Sequence, residues 1–339
     1  MNISEQPIGV LDSGTGGIGT LKEIVQLLPC EDFIYYGDAG NAPYGTKSTT
    51  EVMNCVDHVL KILLARNIKA LVIACNTATA YGFAGIESSI RNIGSPVRVI
   101  GVVKAGSRAA VECVRETPES FAVGVLSTPG TFSSGIYPRT IALEAGRMGV
   151  ASPRVVARGC QNLADSIQFV KPDLEELVRK YFMELVDELR KAGTKEKLRA
   201  VIFGCTHYPL ARRHFEKVLM ELRDDPVRGS FVAEDFTFID PAVETAIECR
   251  EILSSEGLLA RRMGPSEVAM FVSVPSASLP SGMIGPDGTL EDGYKYSRKP
   301  GRDVVDTKFV PLAVGLRDRE KFASLLGILP AVSEHLKGW

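Results

Sequence analysis

The sequence has few of the features that mark secreted, membrane or nucleic-acid-binding proteins. No apolar run approaches the roughly 18 residues that a helix needs to cross a bilayer. The N-terminus lacks a basic stretch followed by an apolar one, so we expect no signal peptide. A net charge of −2 gives no long-range attraction to nucleic acid or to an acidic membrane surface. These absences predict a cytoplasmic protein with neither a nucleic-acid nor a membrane partner.

Disulfide and metal-binding patterns are missing as well. The seven cysteines are an odd number, they are widely spaced in 339 residues, and no two form a CxxC pair. With only four histidines, the chain shows no zinc-ligand spacing either. We therefore expect free thiols in a reducing compartment, no bound metal and no disulfide framework.

Short apolar runs alternate with longer segments of helical period along most of the chain. This alternation predicts βαβ units and mostly parallel sheets. Parallel strands are covered on both faces, which explains why the runs are continuously apolar rather than alternating. Because 339 residues exceed what one typical core supports, we expect an α/β protein of two domains.

The chain also repeats itself weakly. IGVLDSG (8–14) resembles VGVLSTP (123–129), and ALVIACNT (70–77) resembles AVIFGCTH (200–207). We interpret the chain as two pseudo-symmetric, Rossmann-like, three-layer α/β/α domains. The first comprises residues 1–98 and 212–339, and the second comprises residues 99–211. Ligands of open α/β sheets bind beyond the carboxyl ends of the strands, so we predict an active site in the cleft between the domains.

Two C-terminal segments complete this interpretation. FTFIDPA (236–242) reads as a strand followed by a helix, and we assign it to the first domain. Residues 275–317 form an insertion in that domain, and residues 275–302 are rich in proline, glycine and serine. Their composition predicts a solvated loop, with a lid or a subunit contact as the alternatives.

GTGGIG (14–19) matches the GxGxxG pattern, follows a strand, opens a helix, and has Asp38 at the end of the next strand. This is the context of a dinucleotide-binding fingerprint, so an oxidoreductase is one alternative function. Asp12 and Ser13 precede the glycines, however, and a carboxylate there would repel a pyrophosphate at the helix N-terminus. We therefore expect a tight turn whose N–H groups are free for a carboxylate ligand.

Two cysteines end apolar strands at corresponding places in the two halves. Cys75 and Cys205 are each followed by hydrogen-bond donors, at a place where the pKa of a thiol can be lowered. Two opposed thiols can remove a proton from one face of a carbon and return one to the other face, which inverts that carbon. Asp12 is placed to assist the first thiol and His207 to assist the second. The hydrogen-bond donors are Asn76 and Thr77 after Cys75, and Thr206 and His207 after Cys205.

Five segments together resemble the glutamate racemases of the aspartate/glutamate racemase superfamily, over residues 7–250. They are IGVLDSGTGG (8–17), YYGDAGNAPYGTKS (35–48), LVIACNTATA (71–80), TPGTFSSGIY (128–137) and VIFGCTHYPL (201–210). The resemblance implies cofactor-independent interconversion of L- and D-glutamate, which supplies D-glutamate for peptidoglycan synthesis. Aspartate or a broader set of amino acids is the alternative substrate. An amino-acid-binding protein without catalysis is the alternative of another class.

The resemblance also implies roles for individual residues. Cys75 would act on the α-proton of the D enantiomer and Cys205 on that of the L enantiomer, tuned by Asp12 and His207 respectively. Gln168 stands where the family carries a glutamate, and if that glutamate orients the second-site histidine, His207 lacks this partner. A homodimer is left open. The residues that would hold the substrate are Ser13, Pro43, Tyr44, Gly45, Asn76, Thr77, Thr128, Thr131 and Thr206.

Overall fold

The computed structural model describes residues 2–115, 121–262, 264, 266–273, 279–283, 290–291 and 310–311. The chain divides into two compact units, one of residues 1–100 and 246–339 and the other of residues 101–245. Each unit is built on a mostly parallel sheet with flanking helices, which confirms the predicted α/β fold class. Within the described ranges, no helix is long and apolar enough to cross a membrane.

The elements follow one another along the chain in a largely alternating order. The first group is β1 (Ile8–Asp12), α1 (Ile18–Leu27), β2 (Phe33–Gly37), α2 (Thr49–Leu64), β3 (Ala70–Ile73), α3 (Asn76–Asn92) and β4 (Arg98–Gly101). The second is α4 (Val102–Arg115), β5 (Phe121–Ser127), α5 (Pro129–Ser134), α6 (Ile136–Arg147), β6 (Arg154–Gly159), α7 (Leu163–Phe169), α8 (Leu174–Lys191), β7 (Lys197–Gly204), α9 (Arg212–Asp224) and β8 (Val232–Ile239). The last is α10 (Pro241–Ser255), β9 (Val268–Val272) and β10 (Val310–Pro311). Short 3₁₀ helices are Ile3–Glu5, Ala39–Asn41, Tyr44–Thr46, Tyr208–Ala211, Gly229–Phe231 and Ser281–Met283.

The sheet of the first unit has the strand order β10-β9-β2-β1-β3-β4. β1 lies parallel to β2 and β3, β2 lies parallel to β9, and β10 runs antiparallel to β9. Asp12 at the end of β1 is opposite Gly37 at the end of β2, and Leu11 is opposite Ile73 at the end of β3. The residues that follow these three strands therefore lie together at the carboxyl ends of the strands.

The sheet of the second unit has the strand order β6-β5-β7-β8, and its strands are parallel. Ser127 at the end of β5 is opposite both Gly159 and Gly204, which end β6 and β7. This order matches β2-β1-β3-β4 of the first unit. The two sequence repeats are therefore real structural equivalents, since one pairs β1 with β5 and the other pairs β3 with β7.

The boundary of the second unit differs from the predicted one. The segment FTFIDPA contributes to β8, which pairs with β7 and not with the first sheet, so its assignment to the first domain is wrong. β8 occupies in the second sheet the place that β4 occupies in the first, and the unit ends at residue 245, inside α10. Most of the predicted insertion 275–317 lies outside the described residues.

Both faces of the first sheet are buried, as continuous apolar strands require. Ile8 and Val10 of β1 pack on one face with α1 and α10, whereas Leu11 packs on the other face with α2 and α3. α2 begins at a capping box in which Ser48 and Glu51 each bind the other's backbone N–H. This packing leaves the carboxyl edge of the sheet as the place where polar side chains gather.

Candidate active site

The predicted site residues fall into two groups, one at the carboxyl edge of each sheet. In the first group, the fully buried Asp12 ends β1 and turns its carboxylate into the loop that follows. Its Oδ2 accepts hydrogen bonds from the N–H groups of Gly14 and Gly17, both at 3.0 Å. The glycine-rich turn therefore binds a carboxylate of the protein itself, and the expectation that these N–H groups are free for a ligand is wrong.

Two glycines are required by close backbone approach around this carboxylate. A Cβ on Gly17 would lie 2.5 Å from the Cβ of Asp12, and a Cβ on Gly37 would lie 2.1 Å from the carbonyl oxygen of Gly14. The hydroxyl of Tyr35 donates to that same carbonyl at 2.7 Å. The GxGxxG pattern thus serves to fold the loop tightly around Asp12. It does not favour a pyrophosphate at this place, because the Asp12 carboxylate already holds two of the amides.

Cys75 follows β3 and forms the N-cap of α3. Its Sγ accepts a hydrogen bond from the N–H of Ala78 at 3.4 Å and lies 3.4 Å from the hydroxyl oxygen of Ser13. Asn76 and Thr77, the first residues of α3, are buried beside it. The structure therefore brings the predicted residues Ser13, Cys75, Asn76 and Thr77 to one end of the sheet.

The pKa of the Cys75 thiol is raised to about 11, not lowered as its place at a helix N-terminus suggested. Burial is the largest cause, and the negative charge of Asp12 adds to it. Hydrogen bonds from Ser13 and from the backbone of Ala78 and Thr77 act in the opposite direction but do not outweigh burial. Near neutral pH the Cys75 thiol is therefore protonated, and its thiolate is more basic than that of an ordinary cysteine.

Pro43, Tyr44 and Gly45 lie where a 3₁₀ helix, Tyr44–Thr46, begins. The Tyr44 hydroxyl donates to Oδ2 of the fully buried Asp38 at 2.6 Å. The proton of the Tyr44 hydroxyl is therefore engaged within the protein, by Asp38.

Asp38 organises this loop, a role that the sequence did not reveal. Its Oδ1 accepts hydrogen bonds from Asn41 at 3.0 Å and from the hydroxyl of Ser273 at 2.6 Å. Ser273, which follows β9, in turn accepts from the N–H of Gly40 at 2.9 Å. The carboxylate that matched the ribose-binding position of a dinucleotide fingerprint therefore holds the loop that carries Tyr44. An acidic residue between two turn-forming segments was the available signal.

The second group centres on Cys205, which follows β7. Its Sγ lies 3.7 Å from Nδ1 of His207, and Nε2 of His207 lies 3.1 Å from Oε1 of Gln168. His207 thus contacts a side chain at the position where the family's glutamate was expected, so the expectation that it lacks this partner is wrong. Gln168 was not among the predicted site residues. Its contact with His207 spans 39 residues of sequence and carries no local signal.

The remaining predicted residues lie around the same edge of the second sheet. Thr128 forms the N-cap of α5 and accepts a hydrogen bond from the N–H of Thr131 at 3.4 Å. Its hydroxyl also donates to that of Thr131 at 3.0 Å. Thr206 lies between Cys205 and His207 in the sequence, and it is partly exposed. Within the described residues, no cluster of side chains has the composition of a metal site.

Comparison with known proteins gives consistent matches. Residues 8–242 match the Asp/Glu/Hydantoin racemase family. The chain is 36% identical to a glutamate racemase of Lysinibacillus sphaericus (strain C3-41) over 254 residues, which are 75% of this chain and 84% of that protein.

Solved structures match over a similar length. The glutamate racemase isoform RacE1 of Bacillus anthracis superposes with a TM-score of 0.65 at 31% identity, over 80% of this chain and 89% of that one. A glutamate racemase of Francisella tularensis in complex with D-glutamate gives a TM-score of 0.63 at 27% identity, over 82% and 90% of the two chains.

Proposed function

The chain belongs to the Asp/Glu/Hydantoin racemase family, and from this membership we propose that it interconverts L- and D-glutamate. The observation that carries the proposal is the pair of cysteines at equivalent strand ends. Cys75 follows β3 and Cys205 follows β7, in two sheets of the same strand order, and each has an ionisable neighbour. Two equivalent sheets, each with one thiol beyond the same strand, suit a reaction in which one thiol serves each face of a carbon.

The two thiols exchange protons with the α-carbon of glutamate. In one direction the Cys75 thiolate removes the α-proton of D-glutamate, and the Cys205 thiol gives its proton to the opposite face. The product is L-glutamate, with Cys75 as thiol and Cys205 as thiolate. The reverse reaction uses the same groups with their roles exchanged. Protons balance over each turnover without an oxidant or reductant, and none of these steps uses a cofactor.

Asp12 tunes the first thiol by its charge. It raises the pKa of Cys75, which makes the thiolate less abundant but more basic. An α-proton of an amino acid is weakly acidic, so a more basic thiolate brings the proton transfer closer to balance. His207 serves the second thiol, whose Sγ its Nδ1 faces.

Substrate binding falls to neutral donors. Hydroxyl, amide and backbone N–H groups suit a compact substrate that carries two carboxylates. In the first unit these residues are Ser13, Pro43, Tyr44, Gly45, Asn76 and Thr77. In the second they are Thr128, Thr131 and Thr206. The D-glutamate formed would serve peptidoglycan synthesis in the cytoplasm. A homodimer is compatible with this function.

The direct test is formation of D-glutamate from L-glutamate by the purified full-length protein without added cofactor. Chiral separation of the product measures it, and aspartate supplied in parallel ranks the two substrates. Faster inversion of aspartate would replace glutamate as the substrate. Glutamate binding without any inversion would support a binding protein, and activity that depends on a nicotinamide or flavin cofactor would support an oxidoreductase.

A further inference from the structure

In the second group, three side chains contact one another in series: Cys205 contacts His207, and His207 contacts Gln168. Oε1 of Gln168 is a hydrogen-bond acceptor, so a ring nitrogen 3.1 Å away must carry a proton to bond with it. That nitrogen is Nε2. In a neutral imidazole only one ring nitrogen is protonated, so Nδ1 then presents a lone pair towards Sγ of Cys205 at 3.7 Å.

The elements that carry Gln168 and His207 pack in the same hydrophobic core. α7 carries Gln168 and buries Leu163 and Ile167, while the 3₁₀ helix that follows His207 buries Tyr208 and Ala211 in the same cluster. The Gln168 side chain is therefore presented to His207 from a packed helix. A group supported in this way can fix the orientation of its partner.

The C-terminus of α7 is fixed immediately after Gln168. The N–H of Lys171 donates to the carbonyl of Ser166 at 2.9 Å, and the hydroxyl of Ser166 donates to Asp173 at 2.7 Å. Val170 adopts a left-handed conformation at this point and stops the helix. Gln168 is therefore held by the core packing of α7 on its N-terminal side and by these terminating contacts on its C-terminal side.

The chemistry of the pair depends on the neutrality of Gln168. When Cys205 passes its proton to Nδ1, the S–H bond breaks, an Nδ1–H bond forms, and the products are thiolate and imidazolium. Nε2 keeps its proton in both states, so the bond to Gln168 persists throughout. An amide accepts that bond without adding a charge, whereas a carboxylate would stabilise the imidazolium and favour the thiolate–imidazolium pair.

We propose that Gln168 is a positioning residue that holds His207 in the Nε2–H tautomer, with Nδ1 as the acceptor for the Cys205 thiol. The proposal deepens the proposed function, because it rests on Cys205 as one of the two proton-transfer groups. It assigns to this glutamine the orienting task without the charge that a glutamate would bring.

The test combines a spectroscopic readout with a kinetic one on the full-length protein. ¹⁵N NMR of the labelled protein distinguishes the two imidazole tautomers, and His207→Asn identifies the resonance among four histidines. We expect the Nε2–H tautomer in the unaltered protein and a mixture in Gln168→Met. We expect Gln168→Met to lower kcat about tenfold, the order of change that loss of one hydrogen bond produces.

The isotope effect locates the defect. With α-deuterated substrate, Gln168→Met should enlarge the isotope effect in the L-to-D direction, where Cys205 removes the proton, and not in the D-to-L direction. Gln168→Glu keeps an acceptor at the same place, so it should restore the Nε2–H signal and shift the pair towards imidazolium. Gln161→Met makes the same replacement at an exposed glutamine on the connection before α7 and should change neither readout.

The outcomes separate the two proposals. An Nδ1–H tautomer in the unaltered protein would overturn the role of Gln168, even if the protein racemises glutamate normally. An Nε2–H tautomer that becomes a mixture in Gln168→Met, with Nε2 fully protonated again in Gln168→Glu, supports that role even if the substrate proves to be another amino acid. Unchanged tautomer and kinetics in Gln168→Met would also overturn it.

Discussion

The N–H of Gly17 donates to Oδ2 of Asp12 at 3.0 Å, and the two residues are packed so closely that a Cβ on Gly17 would lie 2.5 Å from that of Asp12. The glycine both binds the carboxylate and leaves room for it. The loop after β1 is therefore organised around a side chain that also raises the pKa of Cys75. Folding of the loop and tuning of the thiol are consequences of one contact.

Gly17→Ala should displace Asp12, because the new methyl group also meets Ala74 at 3.0 Å. We expect a loss of about 1–3 kcal/mol in stability from overpacking and a fall in racemisation of at least about tenfold. Thermal unfolding and initial rates measure the two effects. Gly19→Ala is the matched control, since its Cβ would meet nothing within 4 Å and it lies in α1, so it should stabilise by about 0.5–1 kcal/mol. Equal effects of the two substitutions would contradict the packing argument.

The thiol of Cys75 should be slow to alkylate near neutral pH and should react faster as the pH rises towards 11, because only the thiolate reacts. Mass spectrometry of the substrate-free protein after timed exposure to iodoacetamide measures the rate. Asp12→Asn removes a negative charge that raises the pKa, so it should move the reactive range to lower pH. Cys30, which precedes the amino end of β2, should not respond to this substitution. A plateau in Cys75 reactivity near neutral pH would contradict the raised pKa.

The same pKa shift makes the stability of the folded protein fall at high pH. The folded-state pKa of Cys75 lies above its ordinary value of 9.0, so ionisation favours the unfolded chain. The contribution of the neutral thiol is fully present below pH 9 and is lost as the pH rises towards 11.

Val170 should be a stability defect that can be removed. It is exposed and has φ 48° and ψ 54°, a conformation that costs a β-branched residue about 1–2 kcal/mol. Val170→Gly should therefore raise the melting temperature, with a gain of about 1 kcal/mol. Val227 is similarly exposed but is not among the residues with positive φ, so Val227→Gly should give no gain. Destabilisation by Val170→Gly would show that the valine side chain contributes more than its strain costs.

The buried ion pair of Lys69 and Glu31 should be needed for folding of the first unit. Both side chains are almost fully buried, and Glu31 also accepts from the N–H of Ala260 at 2.8 Å. Lys69→Met leaves an unpaired buried charge and should cost about 3–5 kcal/mol, part of which Glu31→Gln should restore in the double variant. Chemical denaturation measures the loss.

An exposed pair provides the control for this prediction. Lys61 contacts Asp57 at 2.6 Å with both side chains largely in solvent. Lys61→Met should therefore change stability by less than about 1 kcal/mol. A small effect of Lys69→Met, comparable to that of Lys61→Met, would contradict the importance of the buried pair.

The sequence predicted the strands that precede Cys75 and Cys205 and the repeat that relates them, because buried parallel strands are continuous apolar runs. FTFIDPA was assigned to the wrong domain because the residues of a strand do not determine which neighbouring strand it pairs with. The repeat contained that answer, since β4 follows β3 as β8 follows β7.

Contacts between distant residues escaped the sequence for the same reason. The meeting of Gln168 with His207 and the hydrogen bond of Ser273 to Asp38 depend on how helices and strands pack. The pKa of Cys75 was misjudged because its helix N-terminus is visible in the sequence, whereas its burial and the charge of Asp12 are tertiary effects. Residue types thus indicated the chemistry, and packing decided its tuning.

The central claim is that Cys75 and Cys205 exchange protons with opposite faces of one carbon. Proton NMR in deuterium oxide, started from either enantiomer of glutamate, follows loss of the α-proton while chiral separation follows inversion. The account predicts that the unaltered protein does both without a cofactor, and that Cys75→Ala and Cys205→Ala each abolish inversion from both enantiomers. Undiminished racemisation by either variant would contradict it.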